Sequence, residues 1–347
     1  MKYLLTLHYV IFTVAIYAQM LPTSIAFGSC GHQDKPLEIF QTILKHKPEL
    51  FIFLGDNIYG DTKRMSVLKK KYRKLSRNKN FSKLRDSVPI IATWDDHDYG
   101  MDDVGTYFPK KKVSKNIFLK FFKEPKSSER WKHEGIYTSY FFQDQGKTLQ
   151  IILLDCRTFR NDLLPYNGAL KGDTNYRYHL DYSPYPLSSD STMLGKIQWQ
   201  WLKNELLKPA DLRIIGSSTQ FATQYNGYEA WANFPGEQKR MLELIKETKA
   251  QGIFFISGDV HYSELSRLPN PDTYPIYDLT CSGLTEEWKF AAPNNYRIGK
   301  PVMDNHFGLI KIDWFSEKPS VQLEVWDKFD RKRIFQALSF SELQSSH

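Results

Sequence analysis

Asp56 and Tyr59 stand three residues apart, directly behind the apolar run Phe51-Ile52-Phe53-Leu54 and its closing Gly55. A carboxylate and a phenol so placed can converge on one cation, and three other stretches repeat the arrangement. Val88 to Trp94 empties into Asp95-Asp96-His97-Asp98-Tyr99-Gly100-Met101-Asp102-Asp103, Gly252 to Ile256 into Ser257-Gly258-Asp259-Val260-His261, and Ser24 to Phe27 into Gly28-Ser29-Cys30-Gly31-His32. Five Asp crowded around one His between residues 95 and 103 repel one another strongly unless a counter-charge is present. A bound cation is the economical source of it. The loop is not an EF-hand, since it lacks the alternating ligands, central glycine and closing Glu of that motif.

Each donor follows a short apolar run ending in small or polar residues, which reads as a buried strand opening into a loop. In open α/β sheets, ligands bind beyond the carboxyl ends of strands, so repetition there points to one shared site. Helical spacing is expected over Leu37–Lys47, Lys63–Arg85, Val113–Lys123, Ile197–Leu207 and Glu237–Lys249. Tyr137–Phe142 and Leu149–Leu154 form a hairpin around Asp144-Gln145-Gly146, and Leu212–Ile215 is a further strand. Residues 161–195 carry no sustained period and read as a long excursion shaping access to one face. Phe307–Trp314, Val321–Trp326 and Arg333–Phe340 read as a mostly antiparallel set. With no internal repeat or low-complexity linker, residues 19–347 form one two-sheet domain.

The 347 residues, 41% hydrophobic and 15% aromatic, suffice for a sizeable core. Residues 1–18 have the form of a secretory signal: Lys2, an uncharged stretch, then Ala18 before Gln19. That stretch is short for a membrane anchor, so the mature chain is expected to be secreted or periplasmic, with no transmembrane segment. Loss of Lys2 takes the net charge from +8 to +7, which suits anionic partners without naming one. Lys63–Arg85 holds 11 Lys/Arg residues beside an apolar stripe, so it reads first as a helix with a solvated basic face and second as an attractor of anionic polymer or lipid. No motif for specific nucleic-acid recognition is present. Cys30, Cys156 and Cys281 include no Cys-x-x-Cys pair, and a zinc-finger reading fails.

Sulfur, nitrogen and oxygen donors of this mixture suit two unlike cations. A thiolate and a phenolate favour a strongly polarising transition ion, ferric iron first among them, whereas an all-carboxylate side suits calcium or magnesium.

Gly55-Asp56-Asn57-Ile58-Tyr59, Trp94-Asp95-Asp96-His97-Asp98 and Gly258-Asp259-Val260-His261 resemble the motifs of the calcineurin-like metallophosphoesterase superfamily. Phe27-Gly28-Ser29-Cys30 is similar to the early motif of its alkaline phosphatase D (PhoD-like) branch, and the resemblance runs from about residue 24 to about residue 340. It implies an α/β fold, a four-layer α/β/β/α sandwich with two mixed β-sheets. It also implies that Cys30, Asp56, Tyr59 and His261 hold Fe3+, with Asp56 shared with a second site of Asp96 and Asp259 similar to the family's Ca2+ sites, open to another divalent cation. Arg157, in Leu154-Asp155-Cys156-Arg157, matches an arginine that the resemblance places near the substrate phosphate. Asp102 stands where similar sequences have Asn, and Cys156 where they have Thr; Cys156 and Cys281 read as small buried residues.

Two cations sharing a carboxylate bind phosphate oxygens and lower the pKa of a bridging water. His97 would then protonate the leaving alkoxide or stabilise its charge, and Arg157 would offer its planar fork to phosphate oxygens. The expected function is an exported metal-dependent phosphoric-ester hydrolase, a phosphodiesterase or alkaline phosphatase acting by in-line attack. The alternatives are a phospholipase D-type diesterase and a non-catalytic, metal-bearing secreted protein that binds anionic polymers.

Overall fold

A computed structural model describes residues 21–166 and 180–345. The signal expected over residues 1–18 and the middle of the 161–195 excursion lie outside the described residues. In chain order the strands are β1 (Ser24–Gly28), β2 (Leu50–Leu54), β3 (Ile90–Thr93), β4 (Thr138–Asp144), β5 (Lys147–Leu153), β6 (Leu164–Pro165), β7 (Tyr182–Ser183), β8 (Leu212–Ser217), β9 (Ile253–Ser257), β10 (Ser263–Leu268), β11 (Ile276–Cys281), β12 (Arg297–Val302), β13 (His306–Asp313), β14 (Ser320–Asp327) and β15 (Lys332–Ser339). The helices are α1 (Ile39–Lys45), α2 (Met65–Arg77), α3 (Lys79–Ser87), α4 (Asp96–Tyr99), α5 (Lys111–Phe121), α6 (Gly195–Leu206) and α7 (Pro235–Thr248).

Two mixed sheets carry the molecule, with strand orders β15-β14-β13-β1-β2-β3 and β12-β10-β11-β9-β8-β5-β4. In the first, β1, β2 and β3 run parallel, with Ile25 opposite Leu50 and Ile52 opposite Ile91. In the second, β5, β8, β9 and β11 run parallel. Strand alternation decides which core each side chain joins. Leu50, Ile52 and Leu54 meet Ile151, Ile214 and Phe254 between the sheets. Their neighbours Phe51 and Phe53 turn the other way, toward Phe40, Leu68, Tyr72 and Phe118 of the helices outside the first sheet. Ile152, Ile215 and Phe255 likewise face Trp199, Leu202 and Met241 of α6 and α7. Three cores therefore separate helix, sheet, sheet and helix, the expected layering.

Local differences from the sequence reading have physical causes. The segment Lys63–Arg85 is two helices rather than one. Asn78 adopts an extended conformation, and its side-chain oxygen accepts the N–H groups of Asn80 and Phe81, so it starts α3 as it ends α2. Strands β10 and β12 escape the apolar pattern because β10 buries Glu264, held by Arg297, Gln220 and Asn294. Gln145 and Gly146 both have positive φ, the conformation that joins β4 to β5 in a tight two-residue turn. No helix among the described residues is long and apolar enough to cross a membrane.

Candidate metal centre

The exits of β1 and β2 are stitched by backbone bonds, Cys30 N–H to Gly55 O at 3.3 Å and Gly31 N–H to Asp56 O at 2.9 Å. Ser29 N–H donates to Cys281 O at 3.1 Å, which ties the first sheet to the second at this end. Four donors sit at positive φ: Cys30 (59°), Asp56 (49°), Asp259 (81°) and His261 (57°). Each such residue costs on the order of 1–3 kcal/mol, and outliers of this kind cluster where backbone must turn side chains into a site. Gly55 precedes Asp56 at φ 110°; a Cβ there would lie 2.5 Å from the Asp95 Cβ, so only glycine lets the β2 and β3 exits approach.

Asp56 links the donors. The Cys30 thiol donates to Asp56 Oδ2 at 3.3 Å and lies 3.2 Å from Ser282 Oγ. Ligand atoms of Cys30, Asp56 and His261 lie within 4.8 Å of one another, as do those of Asp56, Asp95, Asp96 and Asp259, and of Asp56, Asp96 and His97. Tyr59 joins through its hydroxyl, 3.0 Å from His261 Nε2, and its ring lies between His32 and His97 at centroid distances of 4.7 and 4.3 Å. All six donors read from sequence thus converge, in two groups overlapping at Asp56. Asp95 joins the oxygen-only group, a participant that sequence reasoning left without a role.

The residues fit two cations. Asp56 is 1% exposed and Asp96 3%, yet Asp56 Oδ1 and Asp95 Oδ2 have no hydrogen-bond partner among the described residues. Desolvation, then the Asp96 carboxylate, pushes Asp56 well above the usual carboxylate range; desolvation and Asp95 do the same to Asp259, and burial and Asp56 to the Cys30 thiol. Such a cluster ionises fully only when positive charge enters it. Burial lowers His261 to about 4, which keeps its imidazole neutral and its lone pair available as a ligand. Sulfur, nitrogen and phenol oxygen gather on one side of Asp56 and carboxylates on the other, a division that suits unlike ions.

His97 sits beside this cluster with Nδ1 2.5 Å from Asp61 Oδ1. Its Nε2 is 4.0 Å from Asp96 and 3.9 Å from Asp102, whose side chain is 82% exposed at the rim. A cavity of about 240 Å³ opens here, lined by Asp56, Asp96, His97 and His261 together with Tyr182, Tyr228 and Trp288. Tyr182 comes from the described return of the excursion, where β7 pairs with β6, and its hydroxyl bonds Asp103.

Arg157 is buried beside the carboxylates. Its side chain is 0% exposed and does not line the cavity. The guanidinium bonds Asp95 through Nε, Glu229 Oε2 through Nη1 at 2.9 Å and approaches Asp96 Oδ1 at 3.4 Å. It braces these carboxylates, since the β3 exit and Glu229 hold three acidic groups around it, and its Nη2 has no hydrogen-bond partner among the described residues. Cys156 and Cys281 are buried free thiols, as expected.

Sequence reasoning missed several positioning residues. Ser282 Oγ accepts the His261 N–H at 3.0 Å and contacts Cys30, while His306 Nε2 accepts the Ser282 N–H at 3.0 Å. Ser218 donates to Asp95 at 2.6 Å, and Gln33 accepts the Tyr59 N–H at 2.8 Å. Only Asp61 carried a signal, its position in the same polar loop as Asp56.

The sequence profile of the family described as PhoD-like phosphatase matches residues 118–293, just over half of the chain. An alkaline phosphatase D of Bacillus subtilis (strain 168) is 22% identical over 284 residues, 71% of this chain and 47% of that protein. The chain thus spans about half the length of the curated relative it matches. A solved structure described as PhoD superposes with a TM-score of 0.64 at 17% identity, covering 90% of this chain and 72% of the other. A dimetal phosphatase from Danio rerio does so with 0.56 at 13%, covering 94% and 100%, and GAP50, described as the anchor in the inner membrane complex of Plasmodium, with 0.57 at 14%, covering 94% and 90%. At these identities the structural likeness speaks for the fold alone. The match over residues 118–293, on a fold shared with PhoD, makes this chain a member of the PhoD-like phosphatase family.

Proposed function

We propose that the chain is an exported phosphoric-ester hydrolase in which Cys30, Asp56, Tyr59 and His261 hold Fe3+, and Asp56, Asp96 and Asp259 hold Ca2+ or another divalent cation. The observation that carries this reading is that Asp56 belongs to all three donor groups, with one carboxylate oxygen left unpaired. Bound there, two cations would supply Lewis acidity toward a phosphate ester and a water of lowered pKa. The chain's own residues do the rest. Ser282 and Asp56 hold the Cys30 sulfur, and Arg157 fixes Asp95 and Asp96 through the β3 exit. His97 faces the cavity as a proton donor to the departing alkoxide, with Asp61 holding its Nδ1. Trp288 and Tyr228, packed on each other, give the cavity an aromatic surface on which the non-phosphate part of an ester would rest.

Phosphodiesters and monoesters are both candidate substrates, and a phospholipase D-type reaction is the diester case at the same site. Initial rates on an aryl phosphodiester and the matching monoester, with iron and calcium present, test the reading. Turnover of either supports it and the ratio names the ester class; a fully metal-loaded protein that hydrolyses neither sinks it. Export rests on residues 1–18, and secreted or periplasmic protein beginning at Gln19 is the expected result of N-terminal sequencing. The basic surface around α2 supports an anionic partner, polymer or lipid.

A further inference from the structure

On the face of the first sheet's helices, α2 and α5 enclose a cleft of about 510 Å³. Its floor is apolar, with Ile117 and Phe121 half-buried and Val113 43% exposed. Lys69 and Arg73 line one rim, Lys120 and Lys123 the other, and no acidic residue among those described lines the cleft. Neighbouring cations do find partners, Lys74 on Asp34 at 2.6 Å and Lys111 on Glu134 at 2.7 Å. None of the four rim cations has a carboxylate within ion-pair reach among the described residues, so their charge faces outward unneutralised.

The cationic surface does not stop at the cleft. Across α5, with Asn116 common to both, lies a second hollow of about 490 Å³ that presents Lys112 beside Trp131, while Lys132 there pairs with Glu129 at 2.5 Å and Lys111 with Glu134. Lys126 sits 4.5 Å over the Trp131 ring. A soluble polyanion would neutralise the lysines but leave Val113, Ile117 and Phe121 wetted. A single acidic helix would fill the cleft but leave Lys112 and Lys126, beyond α5, unmatched. An anionic bilayer answers all of it, with headgroup charge spread in two dimensions and acyl chains for the apolar floor; basic helices with an aromatic at their margin are suited to that boundary.

We propose that the cleft between α2 and α5 docks this protein on an anionic phospholipid surface. The inference rests on the anionic-partner part of the proposed function and not on turnover, so its test is independent of ester hydrolysis. The full chain is sedimented with phosphatidylcholine vesicles and with phosphatidylcholine–phosphatidylglycerol vesicles, at low and high salt. Binding is expected only to the anionic vesicles and falls as salt screens it. Lys69→Gln, Arg73→Gln, Lys120→Gln and Lys123→Gln combined weaken it on the order of 600-fold, from the roughly fivefold contribution of each basic residue near such a surface. Val113→Asp also weakens it, whereas binding of soluble polyphosphate is reduced far less by that change. Both variants keep the wild-type circular dichroism and the same rate on a soluble aryl ester. Equal binding to both vesicle types, or anionic-vesicle binding indifferent to the four-residue variant, overturns the proposal. Val113→Asp leaving vesicle binding intact while polyphosphate competes it away overturns it in favour of a polyanion groove.

Discussion

The imidazole of His97 directs Nδ1 at the Asp61 carboxylate, 2.5 Å away, and leaves Nε2 toward the cavity between Asp96 and Asp102. Burial on its own would lower its pKa; the carboxylates of Asp56, Asp61 and Asp96 outweigh that and raise it to about 11. Asp61, which lies outside the donor groups, holds the proton on this ring at Nδ1 and favours the protonated form that a donor to a departing oxygen needs. His97→Gln is expected to lower kcat by about 10²–10⁴-fold on alkyl phosphate esters. On p-nitrophenyl esters, whose leaving group needs no proton, the loss shrinks to a small factor. Parallel loss on both series would show that His97 acts through the carboxylates instead.

Asp56→Asn keeps the volume of the side chain and removes the charge common to both donor groups. Metal content measured by mass spectrometry should fall for both ions. Hydrolysis should drop by at least about 100-fold, the equivalent of several kcal/mol of transition-state stabilisation. Full metal content with full activity would refute the shared-carboxylate reading.

Arg157→Met tests whether that residue serves the fold or the substrate. Asp95 would be left buried without its counter-charge and Glu229 with Arg160 alone, and removal of one member of such a buried pair costs about 3–5 kcal/mol. Urea unfolding should show this loss in full. A stable variant with only a raised KM would instead favour direct contact with phosphate.

His306 predicts an acid limit to stability. It is fully buried, accepts the Ser282 N–H at Nε2 and donates from Nδ1 to Asp304 O at 2.8 Å. Burial lowers its pKa from 6.5 to about 4. Between those values the unfolded chain binds a proton that the folded chain does not, so this contribution is present above about pH 6.5 and lost as pH falls toward 4. Its size is about 3 kcal/mol. The unfolding free energy of wild type should fall more steeply than that of His306→Gln across this window, so the gap between them narrows; equal slopes would refute the assignment.

Apolar runs ending in polar residues made the parallel strands and their exits legible, because a strand buried on both faces must be continuously apolar and a site at its tip must be polar. Alternation alone divided Leu50, Ile52 and Leu54 from Phe51 and Phe53, and with them two of the three cores. The residues that hold the donors in place were not legible. Ser282 reaches Cys30 across 252 positions of sequence, and Glu229 reaches Arg157 across 72. A serine or glutamate in a loop has no local pattern announcing such a partner. Arg157 is similar: its position in a motif pointed to the substrate phosphate, while the three carboxylates that the fold brings around it left no local sign.

The left-handed backbone at Asp56, Asp259 and His261 has a bearing on how this pocket could be lost. Glycine enters that region freely, and asparagine, aspartate and histidine enter it more readily than most other residues. A single change from Asp to Asn or Gly at either carboxylate keeps the turn and discards the charge, whereas a change to a branched side chain strains the turn itself. Shape is thus more durable than chemistry at this edge of the sheets. A lineage could shed its cations one at a time and still inherit an intact cavity, with the carboxylate cluster relieved of its repulsion and the surface left free for another use.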